Sequence, residues 1–209
     1  MRDLIDELVA AHRDVQRRGS GDAEVIAVSV RRRYDAAVGD VWSAVTDPDR
    51  LARWFAPVSG NLRVGGAFQV EGNAGGEVQE CDPPHGFTVS WGGPESLVRL
   101  RLTAEGGNAT RLELEHSVPV AFAGSGAGAL YVGPGWDVAV LGLALFLRGE
   151  PVGDPVAWEG TAEVQRYNAA TIDAWVTAIG TTAAPEEVAA GVEVARAQFA
   201  PDVPEEARS

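Results

Sequence analysis

Cysteine and histidine are scarce in this chain of 209 residues, which contains one cysteine and three histidines. The single cysteine, Cys81, cannot form a disulfide within the chain. No second cysteine stands at CxxC spacing, and His12, His85 and His116 lie far apart in the sequence, so we expect neither a metal site nor a bound cofactor. Acidic residues on both sides of Cys81 disfavour its thiolate, which predicts an inert thiol rather than a nucleophile.

Positive charge and long apolar runs are also in short supply. Seventeen basic residues against thirty acidic residues give a formal net charge of -13, which repels phosphate backbones and anionic membrane surfaces. We therefore expect neither a nucleic-acid partner nor a membrane partner. The longest apolar run, Val138 to Leu147, is about half of the ~20 residues that a spanning helix needs. The N-terminus carries acids where a signal peptide is apolar, so the sequence predicts a cytoplasmic protein.

Apolar residues make up 45% of the chain, enough for a buried core in one domain with an extension. In the first segment Leu4, Leu8 and Val15 recur at helical spacing until Gly19 ends the pattern. This predicts an amphipathic N-terminal helix within residues 1–21. With acids on its polar face, the helix is expected to pack on the body of the protein or on a second subunit.

Alternating and helical patterns follow one another in the next hundred residues. Residues 24–34 alternate and are rich in β-branched side chains, which predicts a strand. Two short helices follow, with Asp47 as the N-cap of the second. Five strand-like pieces separated by turn residues then predict an antiparallel meander with one buried and one wet face. These pieces are Gly66–Val70, Gly76–Cys81, Phe87–Trp91, Ser96–Thr103 and Thr110–Val118.

The segment AFAGSGAGALYVGPG, residues 121–135, predicts a flexible linker. It contains a weak match to the dinucleotide fingerprint, but it lacks the preceding strand and the immediately following helix that this fingerprint requires. The next pattern predicts a helix from about Pro134 to Arg148. Its apolar residues continue around the whole circumference, so we expect it to be covered on more than one side.

The last sixty residues predict two further helices, from about Thr161 to Ile179 and from Pro185 to Phe199. Each has only a narrow apolar stripe, which cannot form a core by itself. These helices are expected to dock on the first domain or on a partner subunit, which makes a homodimer one possible assembly. The chain is thus divided into an N-terminal helix at 1–21, a central domain at 22–153 and a helical extension at 154–209.

The order of these elements resembles a known superfamily, and several motifs support the resemblance. DPDRLARWFAP, the VGG of Val64 to Gly66, GGEVQECDPP followed by FTVSW, and GWDVAVLGLALFL are similar to the START-like superfamily, also called SRPBCC. Within it they resemble the branch named after the activator of the heat-shock protein 90 ATPase. The resemblance covers about residues 24–149. It implies an α+β helix-grip fold, in which a curved antiparallel sheet grips a long helix, here with added N- and C-terminal helices.

The resemblance also implies an apolar cavity between sheet and helix that opens near the short helices, where superfamily members bind lipids, polyketides or hormones. We therefore expect the chain to bind a small, largely apolar molecule. The alternatives are a polyketide-cyclase-like or hydrolase-like enzyme and a co-chaperone-like stimulator of an ATPase. No GxSxG or other catalytic motif is found, so whether the chain is an enzyme stays open. The expected ligand-binding residues are Trp54, Phe55, Phe68, Trp91, Leu100, Leu114, His116, Trp136, Val140 and Leu143.

His116 is the candidate for chemistry, because strand period two places its ring on the same apolar face as Leu112 and Leu114. Three roles fit this position: a core histidine with a hydrogen-bond partner, a polar contact to a ligand, or a general base. Glu80 is the hypothesised partner of the ring. Trp54 and Phe55 anchor the second short helix, form the cavity mouth, or do both. Trp91 and Trp136 complete the core or line the pocket.

Overall fold

The computed structural model describes residues 4–150 and 152–203 of the chain. Two short 3₁₀ segments, Leu4–Ala10 and Gly21–Ala23, lie on either side of the first strand, and a third, Gly126–Tyr131, precedes the longest apolar helix. The strands in this part of the chain are β1 (Ala11–Arg18), β2 (Val25–Tyr34), β3 (Val58–Gly60), β4 (Ala67–Val70), β5 (Gly75–Asp82), β6 (Gly86–Ser90), β7 (Leu97–Glu105) and β8 (Ala109–Pro119). The helices are α1 (Val38–Thr46), α2 (Pro48–Leu51), α3 (Val120–Ala123), α4 (Gly133–Leu147), α5 (Pro155–Glu159), α6 (Ala162–Ile179) and α7 (Pro185–Phe199).

The strands form one antiparallel sheet in the order β1-β2-β8-β7-β6-β5-β4-β3. The predicted meander from β4 to β8 is confirmed, because each of these strands pairs with the next along the chain. A shift of register between Val78 and Glu80 interrupts the β5–β6 ladder, and such bulges bend a strand and increase its twist. The short helices α1 and α2 are also confirmed, and the carboxylate of Asp47 caps α2 by accepting from the backbone N–H groups of Asp49 and Arg50.

Helix α4 packs against the buried face of the sheet, as the apolar pattern predicted. Trp136, Val140 and Leu143 belong to the same core cluster as Leu100 of β7 and Leu114 of β8. A second face of α4 meets α6 and the N-terminal segment, in a cluster formed by Leu4, Val138, Leu141, Leu145, Val164 and Tyr167. The helix is therefore covered on more than one side, and the predicted α+β helix-grip fold is confirmed.

The predicted N-terminal helix is wrong for residues 11–18, which form the edge strand β1 and pair with β2. Alternation along β1 turns Ala11, Arg13 and Val15 towards the interior. Arg13 reaches the buried carboxylate of Asp137 in α4, with Nε and Nη2 donating over 2.8 and 2.7 Å. In the sequence, the charge of Arg13 looks like a residue on the polar face of a helix. Its partner Asp137 lies more than a hundred residues away, so the local pattern does not show that Arg13 points inward. Residues 1–3 of the predicted helix lie outside the described residues.

The predicted flexible linker is also wrong, because its middle is helical and buried. Ala129 and Leu130 of the 3₁₀ segment Gly126–Tyr131 pack against Trp175 of α6. A side chain at position 126 would overlap Thr182. Gly126 therefore allows two segments to pack closely, and it does not indicate a mobile segment. Small residues signal both flexible linkers and tight contacts, and only the neighbouring elements distinguish the two.

Helices α6 and α7 are confirmed at the predicted positions, and they complete a second core at the β1 side of the sheet. Ile172, Trp175 and Ile179 of α6 cluster with Val15 of β1 and Ile26 of β2. The division of the chain at residues 21 and 153 stays a prediction, although β1 is hydrogen-bonded into the same sheet as the strands that follow it.

Candidate functional site, an apolar cavity of two chambers

The outer chamber lies between the short helices and strands β3 to β6, and it has a volume of about 380 Å³. Its wall is aromatic, with the rings of Trp42, Phe55, Phe68, Phe87 and Trp91. Helix α1 supplies Trp42 and the turn after α2 supplies Phe55, whereas the others come from β4, β6 and the residue that follows β6. Trp42 and Phe87 meet edge to face, and Phe68 is tilted against Trp91. An aromatic wall of this kind suits a flat apolar ligand.

The inner chamber, of about 90 Å³, lies deeper, between the sheet and α4. Leu100 and Leu114 line it from the sheet, while Val140 and Leu143 line it from the helix. The two chambers adjoin, because they share the lining residues Val45, Leu51, Phe55, Phe87, Val89 and Trp91. Among the described residues, no charged side chain lines either chamber. The combined space therefore favours an uncharged occupant.

The structure brings most of the expected site residues to these chambers. Phe55 and Trp91 line both, Phe68 lines the outer chamber, and the inner one is lined by Trp54, Leu100, Leu114, Trp136, Val140 and Leu143. Trp54 serves as an anchor, since its indole N–H donates to the carbonyl of Ala44 over 2.9 Å, and its ring lines the inner chamber rather than the mouth. His116 lines neither chamber.

His116 lies on the apolar face of β8 and is 3% exposed. Its Nδ1 accepts a hydrogen bond from the indole N–H of Trp136 at 3.2 Å, and its Nε2 lies 2.8 Å from Oγ of Ser96. The two aromatic rings meet edge to face, with centroids 5.8 Å apart. His116 thus contacts the ring that forms the chamber wall and stands behind that ring.

The hydrogen bonds fix the tautomer of His116. An indole nitrogen can only donate, so Nδ1 is the acceptor and the proton of the neutral ring is on Nε2, where it is donated to Ser96. Burial lowers the pKa of His116 from 6.5 to about 4, because the charged ring would lose its hydration. A proton on Nδ1 would also face the N–H of Trp136. At neutral pH the ring therefore has no free lone pair for proton abstraction.

The hypothesis that Glu80 is the partner of His116 is wrong. Glu80 accepts a hydrogen bond from the hydroxyl of Thr88 at 3.0 Å, across the β5–β6 ladder. The bulge between Val78 and Glu80 changes which side of β5 the following residues face. Alternation counted along the sequence therefore predicts the wrong side of the sheet for Glu80.

Several lining residues were absent from the expected set. Phe87 and Val89 line both chambers. The alternation that places them on the same face as Trp91, the residue after β6, was a usable signal. Trp42 and Val45 lie on one face of α1 and were also detectable by their spacing. Leu62 and Val58, in contrast, reach the outer chamber from a loop and a three-residue strand, for which no periodic signal exists.

As far as residue 203, the C-terminal extension does not reach the cavity. The lining residues of both chambers end at Leu143, and none of the described residues 152–203 is among them. Trp158 of α5 approaches α4 near Gly142, and the remaining helices cover the β1 side of the sheet. The outer chamber is therefore open beside α1, α2 and β3.

Neither a metal cluster nor a membrane span is found in the described part of the chain. No group of three or more His, Cys, Asp and Glu side chains is placed there to hold a metal ion. No helix of residues 4–150 and 152–203 combines the length and apolar character that crossing a bilayer requires.

Similar proteins have been solved, and CalU16 from Micromonospora echinospora is among them. Its crystal structure is 36% identical in sequence, with a TM-score of 0.67, over 82% of this chain and 99% of its own. Its solution NMR structure is 39% identical, with a TM-score of 0.69, over 83% and 97%. DynU16, a protein in the dynemicin biosynthetic locus, is 30% identical with a TM-score of 0.53, over 63% of this chain and 49% of its own. No match was found among curated proteins.

The fold and the cavity together define a protein of the START-like, or SRPBCC, type. The family model described as Activator of Hsp90 ATPase homolog 1-like protein matches residues 35–147. Because this match spans more than half of the 209 residues and CalU16 is similar over most of the chain, the chain belongs to that family.

Proposed function

We propose that the protein binds a small, uncharged and largely apolar molecule in the outer chamber. The observation that carries the proposal is an open space of about 380 Å³ between the short helices and the sheet, with five aromatic rings in its wall. Ligand sites in proteins commonly enclose about 300–1,000 Å³ and are lined by apolar and aromatic side chains. The absence of charge among the described lining residues supports an uncharged ligand, since burying an unpaired charge is costly.

Similarity to DynU16, a protein in a biosynthetic locus, favours a biosynthetic product or intermediate as the ligand. The enzyme alternative has less support, because His116 lies behind Trp136 and its Nδ1 lone pair is already engaged. Stimulation of an ATPase is suggested by the family description alone. A cytoplasmic location remains a proposal, based on the lone cysteine. A homodimer also remains a proposal, but the apolar stripes of α6 and α7 that suggested it are packed in the second core on the sheet.

Native mass spectrometry of the purified protein, followed by organic extraction, tests the proposal directly. The expected result is one molecule of a neutral organic compound per chain. A protein that carries no compound and binds no neutral aromatic probe would contradict the proposal. The same spectra report whether the chain is a monomer or a dimer.

Cys81 offers a site-specific readout, because its side chain lines the outer chamber and is accessible to reagents. A neutral naphthalene probe that fills the chamber should slow the reaction of Cys81 with a thiol reagent in proportion to the occupied fraction. The matched control is a Cys81→Ser, Ala189→Cys protein, whose thiol lies on the exposed side of α7. If the probe slows the thiol reaction equally in the original protein and in the control, the probe acts on the reagent and does not bind in the chamber.

A further inference from the structure

The two chambers differ in size, whereas their walls are chemically similar: five aromatic side chains line each of them, together with aliphatic ones. The inner chamber adds the rings of Trp54 and Trp136 to the shared rings of Phe55, Phe87 and Trp91, and the aliphatic residues that line it alone come from β7, β8 and α4. A flexible aliphatic group fills such a wall without demanding a particular orientation. The size of each chamber therefore decides which part of a ligand it can hold.

The size of the inner chamber limits what can enter. A volume of about 90 Å³ corresponds to about three water-sized groups at ~30 Å³ each. A chain of about three carbons fills that space, and a ring with substituents exceeds it. Apolar cavities of this kind accept apolar guests.

The far wall of the inner chamber is held in place by hydrogen bonds. Trp136 donates to His116, and His116 donates to Ser96. Trp91 packs against Trp136 with centroids 5.2 Å apart, and the indole of Trp54 is fixed by the carbonyl of Ala44. Moving the ring of Trp136, His116 or Trp54 would leave a buried polar atom without a partner. The chamber therefore has a defined depth, and it does not expand freely for a longer chain.

We propose that the inner chamber is a subsite for a short alkyl substituent, so that the ligand consists of an aromatic body and an alkyl chain of about three carbons. This inference rests on the proposed function, since the aromatic body must occupy the outer chamber. The shared lining residues Phe55, Phe87 and Trp91 form the passage at which the body ends and the chain begins.

A homologous series of neutral fluorescent probes tests the subsite. The probes are 2-(dimethylamino)naphthalenes that carry an acetyl, propionyl, butanoyl or hexanoyl group, and their fluorescence reports burial. Dissociation constants should fall by about fourfold for each added methylene until the inner chamber is full. The hexanoyl probe should then bind no more tightly than the butanoyl probe.

Ala139→Leu fills the inner chamber from α4 with three additional carbons and leaves the outer chamber intact. In this variant the acetyl probe should bind as in the original protein, while the gain with chain length disappears. Ala139→Val is a smaller change and should remove part of the gain in affinity with chain length. It replaces the leucine variant in this test if the leucine variant does not fold. The control is Ala189→Leu, the same substitution at an exposed position of α7, in which the full gain should persist.

The outcomes separate the subsite from the proposed function. If the acetyl probe binds but chain length has no effect, or if the gain persists in the Ala139→Leu and Ala139→Val variants, the subsite is refuted and the proposed function stands. If no probe of the series binds, the proposed function and the subsite fail together. A gain that continues undiminished to the hexanoyl probe would also refute the subsite, because the chain would then lie outside a closed chamber.

Discussion

The indole N–H of Trp136 donates a hydrogen bond to Nδ1 of His116 over 3.2 Å. This contact joins the middle of β8 to the first turns of α4 and makes His116 a neutral, buried ring rather than a free base. Since Trp136 lines the inner chamber and packs on Trp91, the contact also links the core to the candidate site.

Acid should destabilise the protein through His116. The pKa of the ring is about 4 in the folded state against 6.5 when it is unperturbed, so between these values the unfolded chain binds a proton that the folded chain does not. Stability is therefore complete above about pH 6.5 and is lost as the pH falls towards 4, by at most about 3 kcal/mol. Denaturant titrations at several pH values measure the effect.

The control for this pH dependence is His116→Gln, because glutamine can accept from Trp136 and donate to Ser96 but does not titrate. The stability advantage of the original protein over this variant should shrink between pH 7 and pH 4. An advantage that is independent of pH would contradict the assignment. Because His116 lines neither chamber, the same variant should leave the ligand-induced shift in melting temperature unchanged. Binding weakened by about 0.5–1.5 kcal/mol, the value of one hydrogen bond, would instead indicate a direct ligand contact.

Arg13 and Asp137 should behave as a coupled buried pair. The Asp137 carboxylate accepts two hydrogen bonds from Arg13 and one from the indole of Trp175. Burial raises the pKa of Asp137, and these N–H donors oppose that shift. Arg13→Met should cost about 3–5 kcal/mol, because it leaves a carboxylate buried without its counter-charge. The Arg13→Met, Asp137→Asn double variant should cost less than the sum of the two single changes.

Chemical denaturation of the two single variants and the double variant gives the coupling energy. Additive losses would show that the two side chains do not interact in the folded protein, and that β1 is held to α4 by other contacts.

Gly133 should not tolerate a side chain. A Cβ at this position would overlap the indole ring of Trp175, so Gly133→Ala should cost about 1–3 kcal/mol through displacement of a packed ring. Gly39→Ala in α1 is the matched control, since a Cβ there meets no atom within 4 Å. That variant should be stabilised by about 0.4–1 kcal/mol. Thermal melts compare the two, and equal effects would contradict the close approach of α4 and α6.

Removal of the residues after Gly153 should expose the second core. Trp175, Ile172 and Ile179 would no longer cover Ile26 and Leu130, and exposed apolar surface of this kind promotes aggregation. Size-exclusion chromatography and thermal melts of the truncated chain measure the outcome. A monomeric truncated protein with an unchanged melting temperature would mean that the extension is energetically independent of the sheet.

Local patterns determined most of the fold. Alternation in residues 24–34 and 97–119, and helical spacing in residues 133–147, predicted strands and helices because each pattern depends only on which neighbours share a face. The same rule placed His116 on the buried side of β8. Most of the expected cavity residues followed from those faces together with the resemblance to helix-grip proteins.

Contacts between distant segments decided the rest. In the edge strand β1, Arg13 points inward and meets Asp137, so a charged residue in the pattern marks the buried side of a strand rather than the polar face of a helix. The hydrogen-bond partner of His116 is Trp136 rather than Glu80, because a bulge shifts β5 and α4 brings Trp136 close to the ring. Alternation along one strand predicts neither of these features. The two chambers and their shared wall exist only once α1, α2 and α4 lie against the sheet, because a cavity is a property of surfaces that the chain brings together rather than of any one segment.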